Sequence, residues 1–237
     1  MCVPRFPGAR LRAIALTIDD SPSPVLTRRI LAVLRQYDVT ATFFVIGENA
    51  KLHPEILAEL AEAGHELGNH MLRDEASARL PVADFEQQLK DTHTLLAPYM
   101  WGRWRSGAPK WCRPGHGWFN ERMLGAMQRQ GYKCVLGGVY GLDPQLHAPR
   151  LISRHLAWGA YGGAIIVLHD GGGHRVTQTV QVLDWIIPQL LDRGYEFMTL
   201  SELWNNSCYS ATESGSAEES SSPAGRPLTS ASRCVVR

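Results

Sequence analysis

Short apolar runs alternate with amphipathic stretches over most of the chain, and no other feature narrows the fold as much. Residues 13–18 (Ala-Ile-Ala-Leu-Thr-Ile) form the apolar run of a buried strand. Val25, Leu26, Ile30, Val33, Leu34 and Tyr37 then recur at helical spacing, predicting a helix over 24–36. Residues 40–46 are β-branched and aromatic, hence strand. A helix over 54–64 follows, with Pro54 suited to its first turn and Gly64 to its cap. The same reading gives a short strand at 66–70, a loop at 73–80 and a helix at 82–96. A tryptophan-rich connection (Trp101, Trp104, Trp111) precedes a helix at 120–130 and a strand at 133–140. Helix, strand, helix and strand then succeed one another at 149–158, 164–168, 176–191 and 195–200. Such regular alternation predicts an α/β fold with a parallel sheet covered by helices, and about seven strands favour a barrel over an open sheet.

A chain of 237 residues that is 44% hydrophobic can bury one large core, so one domain is expected over 13–204, after an N-terminal extension at 1–12. From residue 205 the composition turns to Ser, Ala, Glu, Gly and Pro, and 205–237 reads as a disordered tail. The net charge of +1, with both signs interspersed, removes the usual argument for a nucleic-acid or membrane-surface partner. No apolar run approaches the roughly 20 residues that span a bilayer. The five cysteines are scattered, and Cys112 and Cys134 read as free thiols. With no apolar leader before Ala13, the expected location is cytoplasmic, or secreted if the N-terminus is incomplete.

The polar residues that end the apolar runs carry the chemistry. Asp19, Asp20, His70, Arg113, Asp143 and His169 all fall at predicted C-terminal strand ends, where parallel α/β folds gather reactive groups. Taken alone, Asp19-Asp20 reads equally as two solvated acids or a helix cap. Two histidines and three acids at equivalent positions point to one site.

These segments resemble the polysaccharide deacetylases (carbohydrate esterase family 4). Leu-Thr-Ile-Asp19-Asp20-Ser-Pro is similar to that family's Thr-Phe-Asp-Asp-Gly-Pro, and Gly-Asn-His70 followed by Asp74 to its His-x-x-x-His metal motif. Arg113-Pro-Gly-His116-Gly resembles its Arg-Pro-Pro-Tyr-Gly loop, and Val-Leu168-His169-Asp170 its Leu-x-His motif. The resemblance implies a distorted seven-stranded barrel and a metal-dependent deacetylase of N-acetylated, chitin-like sugars. It implies Asp20, His70 and Asp74 as metal ligands, with zinc the expected ion and cobalt, manganese or iron alternatives. Asp19 would be the general base held by Arg113, and His169 the general acid oriented by Asp143. A backbone N–H at His116 would stabilise the oxyanion, Leu168 would line the acyl slot and Tyr140 would contact the carbohydrate; Trp118, like Trp101, Trp104 and Trp111, could stack on a sugar face or pack in the core.

The chain also departs from the family pattern. Asp74 stands where a second histidine is usual; four residues after His70, it could share one face of a helical turn. The alternative is that it pairs with Arg73 or caps the next helix, leaving the metal site incomplete. Ser21 replaces a glycine, His116 a tyrosine, and Pro144 follows Asp143. Of the remaining histidines, His174 is the best placed to touch substrate. Two rival readings remain: a cytosolic amidohydrolase of a small cyclic amide, and an impaired barrel that binds saccharide without cleaving it.

Overall fold

The computed structural model describes residues 12–173 and 175–215, with side chains to residue 207. Eight strands form one parallel sheet: β1 (Ala13–Ser21), β2 (Thr42–Val45), β3 (Glu66–Asn69), β4 (Lys110–Cys112), β5 (Tyr132–Cys134), β6 (Val139–Tyr140), β7 (Ile165–His169) and β8 (Glu196–Met198). Their order is β5-β4-β3-β2-β1-β7-β6, and β8 also pairs with β1. The long β1 is shared end to end. Thr17–Ser21 pairs with β2, Ala13–Ala15 with β8 below it, and Ala15–Asp19 with β7 on the opposite side.

The predicted strand at 133–140 is two strands at opposite edges of the sheet. Residues 135–138 span the gap: Val135 N–H donates to the Cys112 carbonyl (3.0 Å) and Gly138 N–H to that of Ile165 (2.9 Å). A Cβ on Gly137 would stand 2.2 Å from Val167 Cγ2, so a side chain there would hold the two edges apart. The sheet thus curls into a distorted half-barrel, as the resemblance implied.

Alternation along the strands sorts the core. Ile14, Leu16, Ile18, Phe43, Ile166 and Leu168 face a large cluster with α1 (Leu26–Gln36), α3 (Pro54–Glu62), α6 (Pro149–Gly159) and α7 (Arg175–Asp192). Ala13 and Ala15 face a smaller cluster with Phe44, Trp111 and Ile165. Each fully buried Leu or Ile contributes about 1.5–3 kcal/mol. Thr17 and Asp19 continue the second face toward the C-terminal strand ends.

Three helices differ from expectation, while the one expected at 120–130 is present. The chain forms a short helix, α2 (Gly47–Leu52), that periodicity did not show. Helix α4 runs Val82–Arg105, through Pro98, because buried Met100 and the stacking of Trp104 on His93 (4.7 Å) hold the later turns. Helix α5 spans Glu121–Arg129, and α8 spans Leu200–Gly215, so 205–215 are helical rather than tail; 216–237 lie outside the described residues. Cys112 is a free, buried thiol, but Cys134 is disulfide-bonded, contrary to the expected thiol.

Candidate active site

Adjacent residues of a strand point to opposite faces, so Asp19 and Asp20 should not share one site. They do share one because the β1–β2 register shifts between Ile18 and Ser21 and Asp20 adopts φ +64°. Both carboxylates line a cavity of about 630 Å³ together with His70, Arg113, His169 and Arg175.

Asp19 is buried and clamped. Arg113, the residue after β4, lies 4.1 Å over the Phe44 ring and sends Nη1 to Asp19 Oδ1 (2.5 Å) and Thr17 Oγ1 (2.9 Å). Its Nε–H reaches the Val135 carbonyl at 3.4 Å, and its Nη2 has no partner among the described residues. A buried guanidinium with a carboxylate, a hydroxyl and an aromatic face is fixed in orientation, and so is Asp19.

Asp20 divides its two oxygens. Oδ1 faces His70 Nε2 at 3.5 Å, and Oδ2 accepts a hydrogen bond from Arg175 Nη1 at 2.8 Å. His70 Nδ1 donates to the Arg113 carbonyl (2.7 Å), which leaves Nε2 as the atom turned to Asp20. Burial alone would raise the Asp20 carboxyl. The His70 hydrogen bond, the charges of His70 and His169 and the Arg175 bond reverse this and hold it well below the usual carboxylate range. Burial depresses His70, but the charge of Asp19 and its contacts with Asp20 and the Arg113 carbonyl raise it overall.

His169 ends β7 and is held twice by one carboxylate. Its Nδ1–H donates to Asp143 Oδ1 (2.9 Å) and its backbone N–H to Asp143 Oδ2 (2.9 Å). Gln178 Nε2 in turn donates to the Asp143 carbonyl (2.8 Å). The next residue, Asp170, is fully buried and accepts from Ser21 Oγ (3.1 Å), Ser23 Oγ (2.6 Å), Thr27 Oγ1 and the Gly171 N–H (2.7 Å). It ties the loop after β1 to the loop after β7.

The remaining expected residues are placed unevenly. His116, Trp118 and Tyr140 line the cavity. His116 has φ +58° in a loop where Gly115 fits tightly, since a Cβ there would stand 2.2 Å from the Glu75 carbonyl oxygen. Leu168 is a correction: it is fully buried in the helix-facing cluster, one residue out of phase with His169, and is not among the cavity walls. His174 lies outside the described residues. Arg175 and Asp170 were not singled out, because an arginine at a helix start and an acid beside a histidine carry no periodic signal.

Asp74 also differs from expectation. Met71 adopts φ +69° and its N–H bonds Asn69 Oδ1 (2.9 Å), so 70–74 do not form the helical turn that would align Asp74 with His70. The Asp74 carboxylate lines the same cavity but is 64% exposed and 3.6 Å from His116 Nε2. The described residues hold no group of three or more His, Cys, Asp or Glu placed to bind an ion. The donors that fit a divalent cation are Asp20 and His70: an ionised carboxylate oxygen and an imidazole nitrogen turned to each other.

The polysaccharide deacetylase family model matches residues 8–135. A peptidoglycan-N-acetylglucosamine deacetylase of Bacillus cereus is 34% identical over 195 residues, covering 81% of this chain and 88% of that protein. A chitooligosaccharide deacetylase of Bradyrhizobium is 31% identical over 206 residues, covering 81% and 90%. The fold matches a solved peptidoglycan N-acetylglucosamine deacetylase with a TM-score of 0.76 at 31% identity, over 86% of this chain and 92% of that one. The chain belongs to the polysaccharide deacetylase family.

Proposed function

We propose that this protein hydrolyses the acetamide of N-acetylated amino sugars, in peptidoglycan-like or chito-oligosaccharide chains, with a divalent cation at Asp20 and His70. The observation that carries the reading is the presence of Asp19 and His169 side by side in one cavity, each held by its own partner, Arg113 and Asp143. Asp19 accepts the proton of the attacking water, and Arg113 keeps its carboxylate oriented. His169, its Nδ1–H held by Asp143, donates the Nε2 proton to the leaving amine as the carbon–nitrogen bond breaks. The His116 N–H is the oxyanion donor, and the exposed faces of Trp118 and Tyr140 stack on sugar rings. A bound cation, zinc by preference, supplies Lewis acidity to the acetyl carbonyl and to water. Asp74 would add a third donor, the second oxygen, by rotation of its exposed side chain.

The test is acetate release from N-acetylglucosamine oligomers with zinc, cobalt or manganese supplied, for the native chain and for Asp19→Asn and Asp20→Asn. Release that both substitutions abolish, with the circular dichroism unchanged, is the expected result. Retained oligosaccharide binding without release under any metal favours the binding-only reading, for which the exposure of Asp74 is the motivating observation. Turnover of a cyclic amide in place of the oligomers favours the amidohydrolase. The Cys134 disulfide favours an oxidising compartment over the cytoplasm; thiol titration of the denatured native protein that finds all five cysteines reduced would reverse that placement.

A further inference from the structure

Arg175 occupies a position that neither helix electrostatics nor the deacetylation chemistry requires. It is the first residue of α7, where the helix dipole disfavours a cation. Its guanidinium is nevertheless turned back onto Asp20 Oδ2 at 2.8 Å, with the side chain 23% exposed. The preceding loop is shaped to receive it. Gly171 has φ +120°, and a Cβ there would stand 3.0 Å from both Arg175 Cζ and Nη2. The Gly171 N–H is anchored on Asp170, whose carboxylate is itself fixed by Ser21, Ser23 and Thr27.

We propose that Arg175 is a resident counter-cation of Asp20 that lowers the affinity of the Asp20–His70 pair for a divalent ion and confines the ion to Oδ1. This rests on the reading that Asp20 and His70 hold a cation. The two oxygens of Asp20 then have separate tasks: Oδ1 is turned to His70 and Oδ2 is taken by the guanidinium. A carboxylate engaged on one oxygen cannot chelate through both, and a fixed positive charge beside it repels a second one. Arg175 is therefore a positioning residue, acting on the ion through Asp20.

The experiment is calorimetric titration of the metal-free protein with zinc, comparing the native chain, Arg175→Gln and Arg175→Lys, with a thermal melt of each. Arg175→Gln is expected to bind zinc about tenfold more tightly, or about 1.4 kcal/mol, while Arg175→Lys, which keeps the charge, returns toward the native affinity. Zinc binding by Arg175→Gln where the native chain shows none supports the proposal equally. Native binding that Arg175→Gln leaves unchanged or weakens overturns the role of Arg175 and leaves the cation reading intact. Arg175→Lys binding as tightly as Arg175→Gln overturns it too, because charge is then not the cause. Binding by none of the three chains overturns the cation reading along with the proposal.

Discussion

Asp19 and His169 are direct register partners at the ends of the adjacent parallel strands β1 and β7. Neighbouring strands lie about 4.8 Å apart, so sheet geometry fixes the separation of the backbones that carry the proposed base and acid. Their supports arrive from elsewhere: Arg113 follows β4 and Asp143 follows β6, one from each flank of the curled sheet. The pair is thus stiff in spacing, and its orientation depends on two loops.

Asp143→Asn is expected to move the alkaline limb of the rate profile to lower pH. Burial by itself depresses His169, and the hydrogen bond and charge of Asp143, followed by Asp19 and Asp20, raise it above the ordinary imidazole value. A raised value keeps the imidazolium available as an acid to higher pH. Without the Asp143 charge, burial regains weight, the value falls, and the protonated fraction at neutral pH shrinks. Loss of a positioned general acid costs about 10²–10⁴ in rate. The kcat/KM profile and the imidazole chemical shifts against pH check this, and an unmoved limb would remove Asp143 from its assigned role.

Asp170→Ala is expected to destabilise the fold and to slow turnover together. The carboxylate accepts from three hydroxyls and one amide in a fully buried setting. Removing it leaves buried donors without an acceptor, at about 1–3 kcal/mol for each group that finds no new partner. The loops after β1 and β7 adjoin Asp20, near the end of β1, and Arg175, the first residue of α7, so their loosening also reaches the site. A urea denaturation midpoint equal to that of the native chain would contradict the anchoring role.

The strand–helix alternation was legible because most strands are buried on both faces and therefore read as continuous apolar runs, as in residues 13–18. Residues 133–140 looked like one such run, yet Gly137 and Gly138 make the crossing between sheet edges, an outcome decided by packing against Val167 rather than by local pattern. The placement of Asp19, His70, Arg113, Asp143 and His169 at strand ends was legible for the same reason as the strands. Asp74 does line the cavity with His70, but the helical turn expected to align the two does not form, because the left-handed Met71 abolishes it. Arg175 was invisible because its partner is 155 residues away in sequence.

Gly68→Ala is expected to lower both stability and rate, through an aromatic ring. A Cβ on Gly68 would stand 2.6 Å from Phe44 Cε1, and the same ring carries the Arg113 guanidinium at 4.1 Å. Overpacking of this kind costs about 1–3 kcal/mol, and the displaced ring tilts the clamp on Asp19. Gly102→Ala on α4, where a Cβ meets open space, is the control and should stabilise by about 0.5–1 kcal/mol. Melting temperatures and kcat of the two variants separate the cases; a kcat for Gly68→Ala equal to the control's would show that Phe44 does not support the clamp.

Metal retention after dialysis should rank the proposed ligands by how firmly the fold holds them. The Asp20 and His70 side chains are 15% and 7% exposed, and His70 is oriented by a carbonyl that cannot turn away. Asp74 is 64% exposed and beside His116, so ordering it on an ion costs side-chain entropy and the loss of hydration. Asp20→Ala is therefore expected to release zinc completely, whereas Asp74→Ala should weaken it by about tenfold at most. Asp74→His exchanges an oxygen donor for a nitrogen and should improve zinc retention more than manganese retention, because imidazole suits zinc and carboxylate suits manganese. Complete loss of zinc from Asp74→Ala would mean that the loop at 71–74 closes onto the ion as a firm third ligand, despite the turn at Met71.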